Sequence, residues 1–264
     1  MSDKYANLKP SVERDIMNDF KFWFPKIQDC GIDVPKTLTF DVTPELAKAF
    51  YMESAGDYET IDTFVKTVIE PAVAANHMGL LFIKNGVFSN KFDAGNSCLA
   101  QRSNVTNAII NVMQGAMECC GFGFDGTGSI VIRQRIAHNR QTTPCIYNGL
   151  PFRPEYRVFY NFDNHEVIFV HDYWDKDYVY SHLYDKTDKI IYDAYYPYIK
   201  GQYDANAAKV TTMVADAMKN ITALEGPWSI DIMQDDMGNF WLIDMAVAEL
   251  SAYWEKRPGA KASE

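Results

Sequence analysis

Two aspartates close to the C-terminal end lie in apolar runs, Asp231 in WSIDIMQ and Asp244 in FWLIDMA, with the turn-like DDMGN between them. If Asp236 to Asn239 form the hairpin loop, the two carboxylates stand opposite each other on one face of the strand pair. Opposed carboxylates repel, and the arrangement becomes favourable when a cation sits between them. Oxygen donors with no nearby His or Cys suit Mg²⁺ or Mn²⁺. In a different register both acids are simply solvated.

Cationic residues supply the complementary chemistry. FIKNGVFSNKFDAGNSC places Lys84 at the end of an apolar run and opens into a small-residue loop that holds Lys91. Such a loop can present backbone N–H groups to an anion, and a strand-end lysine adds a fixed charge. In VIRQRI, Arg133 and Arg135 share strand parity and project to one face. They ask for anions, or for carboxylates in a salt-bridged strand face. In PEYRVFY, Glu155 and Arg157 share a face, able to pair or to divide between a metal or substrate and a phosphate. Lys and Arg for phosphate with paired acids for a divalent cation is the set that nucleoside triphosphate chemistry requires.

The chain around these residues has 264 residues, 47% apolar and 23% charged, enough for one large domain or two lobes. Net charge is −10, which disfavours nonspecific binding to DNA. The charge is uneven: Val131 to Arg157 carries five arginines (133, 135, 140, 153, 157) against Glu155, a window of +4 in a remainder of −14. Either a local anion site or an exposed, salt-bridged basic face accounts for it. Five cysteines with no CxxC argue against a disulfide framework or zinc site and for a reducing, cytoplasmic setting. No apolar run is long enough for a membrane span, and MSDKYANLKP has no signal-peptide core.

The elements that must hold these residues alternate. Helices are expected over residues 10–30, with Ser11 opening a capping pattern, over TPELAKAFYMES, and over ETIDTFVKTVIEPAVAANH with a break at Pro71. NVTNAIINVMQGAMECC and ANAAKVTTMVADAMKNITAL are the later helices, the last with Val210, Met213, Val214, Ala217, Met218 and Ile221 on one face. TLTFDV, GLLFIK and SIVIRQRI read as strands, PEYRVFYNFDNHEVIFVHDYW as a hairpin, and the two aspartate runs as another. GFGFDGTG contains GxGxxG, but a helix precedes it and a strand follows, the reverse of a dinucleotide fingerprint. Nine of the sixteen tyrosines fall between Tyr173 and Tyr203, interleaved with Lys176, Lys186, Lys189 and Lys200. They form a stacking surface for single-stranded bases or a packed lid. The order predicts an α+β, two-lobed chain.

In this order the pieces resemble an ATP-grasp enzyme: strand-end Lys84 with its loop, the hinge strand VIRQRI, EYR, Asp231, and Asp244 of LIDMA, over about residues 79–254. FIKNGVFSNKFD, PFRPEYRVFY, HDYW and WLIDMA are similar to small phage-type ATP-grasp proteins, an arginine-rich clade proposed to include RNA ligases. The resemblance implies an ATP-grasp fold of two α+β lobes with the nucleotide site between them. It implies regions at 1–78, 79–136, 137–254 and a tail at 255–264. It assigns ATP phosphates to Lys84 and Arg157, with Lys91 and Glu155 in the nucleotide site, and the adenine border to Gln134, Arg135 and Ile136. Mg²⁺ (or Mn²⁺) falls to Asp231 and Asp244, and Arg133 is the clade's additional arginine near phosphate or substrate. Many members end the last strand in acid-x-Asn, where Ala246 stands here; Glu249 in the next turn is the available substitute.

Three functions follow from that resemblance. One is ATP-dependent ligation through an acyl phosphate, releasing ADP, with ATP and an unknown acceptor as partners. The second is RNA end-joining through adenylation of Lys84 or Lys91. The third is an assembly or interaction module that holds a nucleotide and recruits a protein partner without turnover.

Overall fold

The computed structural model describes residues 16–52, 54–120, 128–139 and 141–260. The capping pattern at Ser11, the glycines Gly121, Gly123 and Gly126 of the GxGxxG run, and Arg140 lie outside these residues. The chain divides into two compact units: residues 16–21, 35–136 and 147–150 form the first, and residues 22–34, 137–146 and 151–260 the second.

The first unit is built on a four-stranded sheet of β1 (Thr37–Asp41), β2 (Leu81–Asn85), β3 (Leu99–Ala100) and β4 (Ser129–Gln134), in the order β1-β4-β2-β3. All three pairings are antiparallel. Strand alternation divides the sheet by chemistry. Leu81, Ile83, Ile130 and Ile132 turn into one hydrophobic core with the helices. Phe82 pairs with Arg133 and Lys84 with Val131, so Lys84 and Arg133 take the opposite face.

The helices begin where the sequence offers caps. Thr43 Oγ1 accepts from Leu46 N at 3.3 Å at the start of α1 (Pro44–Met52). Ser54 and Asp57 form a reciprocal capping box on α2 (Ala55–Phe64). The helix then widens into one π turn at Val65–Ile69 and resumes as α3 (Glu70–Ala75), with Pro71 in its first turn. Pro71 has no N–H to continue the ladder, which accounts for the break at that point. α4 (Val105–Cys120) closes the core. Leu46, Phe50, Ile61, Val65, Ile69 and Val73, from the expected N-terminal region 1–78, share this core with β2 and β4.

The second unit carries a four-stranded antiparallel sheet of β5 (Glu155–Asn161), β6 (Glu166–Asp172), β7 (Pro227–Gln234) and β8 (Phe240–Val247), in the order β8-β7-β5-β6. One face, with Tyr156, Val158 and Ile232 fully buried, lies under a long helix, α6 (Lys186–Met218), which follows the short α5 (Lys176–Val179). The structure corrects the expected helix here. It starts at Lys186, far ahead of Ala205, because Asp185 caps it by accepting from Thr187 N. It ends at Met218, before Ile221. Tyr192, Tyr196, Ile199, Tyr203, Val210, Val214 and Met218 recur at helical spacing. Tyr156 stacks on Tyr203 with centroids 5.5 Å apart, and Tyr196 donates to the buried Asp172 at 2.9 Å. Part of the tyrosine-rich segment is thus packing, while Tyr178, Tyr184, Tyr195 and Tyr198 are exposed.

Arg153 shows how the basic window is partly absorbed by structure. It is buried, its Nε donates to Asp236 at 3.0 Å, and Nη2 donates to Ala137 O. Burial favours protonated Asp236, but the Asn139 N–H, the Thr143 hydroxyl and Arg153 outweigh it and hold the carboxyl below its ordinary range. A depressed folded-state value stabilises the protein above the unfolded carboxylate pKa of about 4, and that stability is lost as pH falls through the folded value. Asp236→Asn is therefore expected to cost about 1–3 kcal/mol at pH 7, a gap that closes below about pH 4. Urea unfolding at pH 7 and pH 3 measures it.

Candidate functional site

The turn between β7 and β8 sets the geometry of the acid pair. Asp235 Oδ1 accepts from Met237 N at 2.9 Å and Asn239 N at 2.8 Å, and Oδ2 from Trp241 Nε1 at 2.9 Å. Gly238 takes the positive φ of +84° that the turn needs. The loop is one residue longer than expected, since Gln234 pairs with Phe240. A bulge at Ile243, between Leu242 and Asp244, takes up the difference and brings Asp244 opposite Asp231. The expected pair forms, by a different route.

The register extends the row. Asp231 pairs with Arg157, and Arg157 with His171. Asp244, Asp231, Arg157 and His171 therefore cross all four strands on the face opposite the long helix. Arg157 Nε donates to Asp231 Oδ1 at 2.8 Å and Nη2 to Oδ2 at 2.7 Å. Nη1 donates to Ala252 O at 3.4 Å, and the guanidinium lies 4.8 Å over the Tyr173 ring. Both ionic side chains are nearly buried, 12% exposed for Arg157 and 8% for Asp231. Burial works against the charge on Arg157, but the charge and hydrogen bonds of Asp231 prevail and raise its pKa. Three of its five N–H donors are used in these bonds, which leaves one on each terminal nitrogen for an anion. Arg157 thus pairs with Asp231 rather than with Glu155, its neighbour on the same strand face, which is itself 9% exposed.

Magnesium binds through one or two carboxylates and completes its shell with phosphate oxygens and water. Asp231 and Asp244 fit that demand: each Asp231 oxygen keeps a second lone pair beyond its bond to Arg157. A cage made by protein alone is not present, for among the described residues no group of three or more His, Cys, Asp and Glu is arranged to hold a metal. Glu249 is exposed on the 3₁₀ turn Ala248–Leu250, so the three-carboxylate set Asp231, Asp244 and Glu249 does not assemble. β8 ends at Val247, and Glu249 lies beyond it on the turn.

In the first unit, Lys84 and Arg133 are each 4% exposed on the face away from the core. Both lie over the Phe20 ring, Lys84 Nζ at 5.6 Å and the Arg133 guanidinium at 5.1 Å from its centroid. Arg133 Nε also donates to Thr37 Oγ1 at 3.1 Å, its partner residue across β1 and β4. Nothing in the sequence marked Phe20 as part of this arrangement. Its link is the backbone bond from Phe20 N to Gly86 O at 2.9 Å, just past the lysine strand.

Lys91 lies in a 3₁₀ turn, Lys91–Asp93, with Nζ 5.9 Å from the Phe92 centroid. The loop around it is tied down: Ser97 Oγ donates to Asp93 O at 2.7 Å, and Asn96 donates to the Asp93 carboxylate. Gln134 N donates to Lys36 O and Arg135 N to Leu80 O, both at 2.8 Å. Those two N–H groups are consequently not available to border an adenine, whereas the carbonyls and Ile136 are not committed by these bonds. Arg135 Nη2 donates to Gly149 O at 3.3 Å, one residue past the end of β4.

No protein-family profile matches the sequence, and no curated protein does. Solved structures do. Cdc123 from Schizosaccharomyces pombe is similar over 98% of this chain and 97% of its own, at 13% identity and a TM-score of 0.60. At that identity the likeness is one of fold. The VanG D-Ala:D-Ser ligase from Enterococcus faecalis aligns over 90% of this chain and 53% of its own, at 13% identity and a TM-score of 0.44. A RimK domain ATP-grasp protein from Sphaerobacter thermophilus aligns over 89% and 59%, at 10% identity and a TM-score of 0.38. The protein is a mixed α+β fold by its own elements, and ATP-grasp proteins are among the solved structures it is similar to. No helix among the described residues is long and apolar enough to cross a membrane.

Proposed function

We propose that the protein is an ATP- and Mg²⁺-dependent ligase of the ATP-grasp kind. The observation that carries this reading is the row Asp244–Asp231–Arg157, two opposed carboxylates beside an arginine with donors to spare. The sequence resemblance gives the same residues the same roles. Lys84 and Arg157 bind phosphate oxygens, and Arg133 stands near phosphate or substrate. Asp231 has two tasks: it fixes the plane of the Arg157 guanidinium and, with Asp244, holds the cation. Mg²⁺ supplies charge neutralisation at the phosphates. Fixed cations of this kind stabilise charge that develops as the γ-phosphoryl group leaves ADP for a carboxylate of the substrate. An amine or other nucleophile then displaces phosphate from the acyl phosphate, so no side-chain nucleophile is required.

Lys84→Ala is expected to weaken ATP binding by about 1–3 kcal/mol, the worth of one charge-assisted contact. An unchanged affinity in titration calorimetry would remove Lys84 from the phosphate site. The reaction type is read from products, with ATP labelled on the adenine and on the γ-phosphate. ADP with free or transferred phosphate supports acyl-phosphate ligation. AMP bound to the protein contradicts it and points to end-joining through Lys84 or Lys91.

A second reading is a nucleotide-binding module without turnover. It is favoured by Ala246 in place of a further metal ligand and by the absence of a three-ligand group among the described residues. Bound ATP recovered intact, with candidate carboxylate and amine substrates present, supports it.

A further inference from the structure

His171 completes the row beside Arg157, and nothing in the roles above uses it. It pairs directly with Arg157 across β5 and β6, on the same face. Its ring is fixed from two sides. Tyr253 packs against it with centroids 4.4 Å apart, and Asp175 Oδ2 lies 3.1 Å from Nε2. Tyr253 is itself held in the left-handed region, at φ +74°, and its hydroxyl donates to Tyr173 O at 2.9 Å. That conformation is costly for a tyrosine and persists only where surrounding contacts enforce it. Asp175 is fixed in turn: Oδ1 caps α5 by accepting from Asp177 N at 2.9 Å, and Lys256 Nζ lies 3.3 Å from Oδ2.

An ionised carboxylate only accepts, so Nε2 carries the proton toward Asp175 and Nδ1 is the imidazole's open lone pair. The charged and titratable groups that face the ring are Arg157 from β5, Asp175 ahead of α5, and Tyr253, Glu255 and Lys256 from the C-terminal segment. Burial and then Lys256 lower the pKa of His171, while Asp175 and Glu255 act the other way without prevailing. The free protein therefore presents a neutral, oriented imidazole next to an arginine with two donors to spare.

We propose that His171 is a phosphate contact whose Nδ1 takes up a proton when the nucleotide binds beside Arg157. This rests on the ATP reading and extends it. The incoming anion reverses the local balance: burial and Lys256 disfavour the imidazolium in the free protein, and a polyphosphate favours it. The step moves one proton from solvent to Nδ1 and breaks no other bond. Binding is then linked to pH, stronger toward the acid side of neutrality, where the bound form holds the proton that the free form lacks.

The test is calorimetry of Mg²⁺ and ATP binding at pH 6.5 in two buffers of different ionisation enthalpy, on the wild type and on His171→Gln. The nucleotide's own ionisation contributes equally to both proteins, so the difference reports His171. We expect the wild type to take up a larger fraction of a proton than the variant, as follows when binding raises the pKa of the ring. An NMR titration of the His171 ring, free and with ATP, gives the same answer without any substitution. A rise in its pKa on binding supports the proposal. ATP binding with an unmoved ring and equal proton uptake overturns it and leaves the ATP reading intact. If ATP does not bind the wild type between pH 6 and 8, both fall.

Discussion

Arg157→Ala is expected to destabilise the second unit by about 3–5 kcal/mol, because it strands a buried carboxylate rather than merely deleting a contact. Asp231 loses both of its bonds to Arg157, at 2.8 and 2.7 Å, and faces Asp244 across the strand pair with no offsetting charge. Burial and the facing Asp244 carboxylate both penalise that uncompensated charge. Acid removes such a charge, so the stability gap between variant and wild type should shrink from pH 7 toward pH 4. Removing the acid as well, in Arg157→Ala with Asp231→Ala, should recover a large part of the loss, since an unpaired buried charge costs more than the absence of both partners. Denaturant unfolding of the three proteins over this pH range checks the argument. A single variant that unfolds like the wild type would show that the pair does not carry the load assigned to it.

Asp244→Asn is expected to do the reverse, sparing the fold while removing function. The substitution keeps the shape of the side chain and abolishes the like-charge opposition to Asp231, so stability should stay level or rise by up to about 1 kcal/mol. Mg²⁺-dependent ATP affinity should fall at least about tenfold, because the cation loses one of the two carboxylates that can hold it. A change in stability and binding of opposite sign marks a site residue, where a structural residue loses both together. Loss of stability with unchanged metal dependence would assign Asp244 to the fold and remove it from the cation site.

The pair of acids was legible by counting, yet the count and the chain reach it differently. The sequence suggests a loop of Asp236 to Asn239, whereas Asp235 folds a longer turn and Ile243 bulges to restore the register. A bulge leaves no mark on a pattern of alternating residues, so only the pairing reveals it. Arg157 was recognisable as a cation on a strand, but its partner was not, because Glu155 is close in sequence and Asp231 is close only once β5 and β7 are aligned. The front half of α6 was not marked as helix, since its tyrosines and lysines read as a stacking surface or a packed lid; Pro197 lies inside the helix. Spaced at helical intervals, Tyr192, Tyr196 and Tyr203 continue the same stripe as Val210 and Val214. Phe20 under Lys84 and Arg133 had no local signal at all, since the contact joins a helix start to a sheet formed far along the chain.

The central claim is that these residues bind ATP through its phosphates with a divalent cation. The most direct measurement is calorimetric titration of ATP into the wild-type protein, once with Mg²⁺ and once with the metal chelated. Binding with Mg²⁺ that weakens at least about tenfold on chelation is the predicted result. Equal affinity in both conditions, or no binding in either, would contradict it.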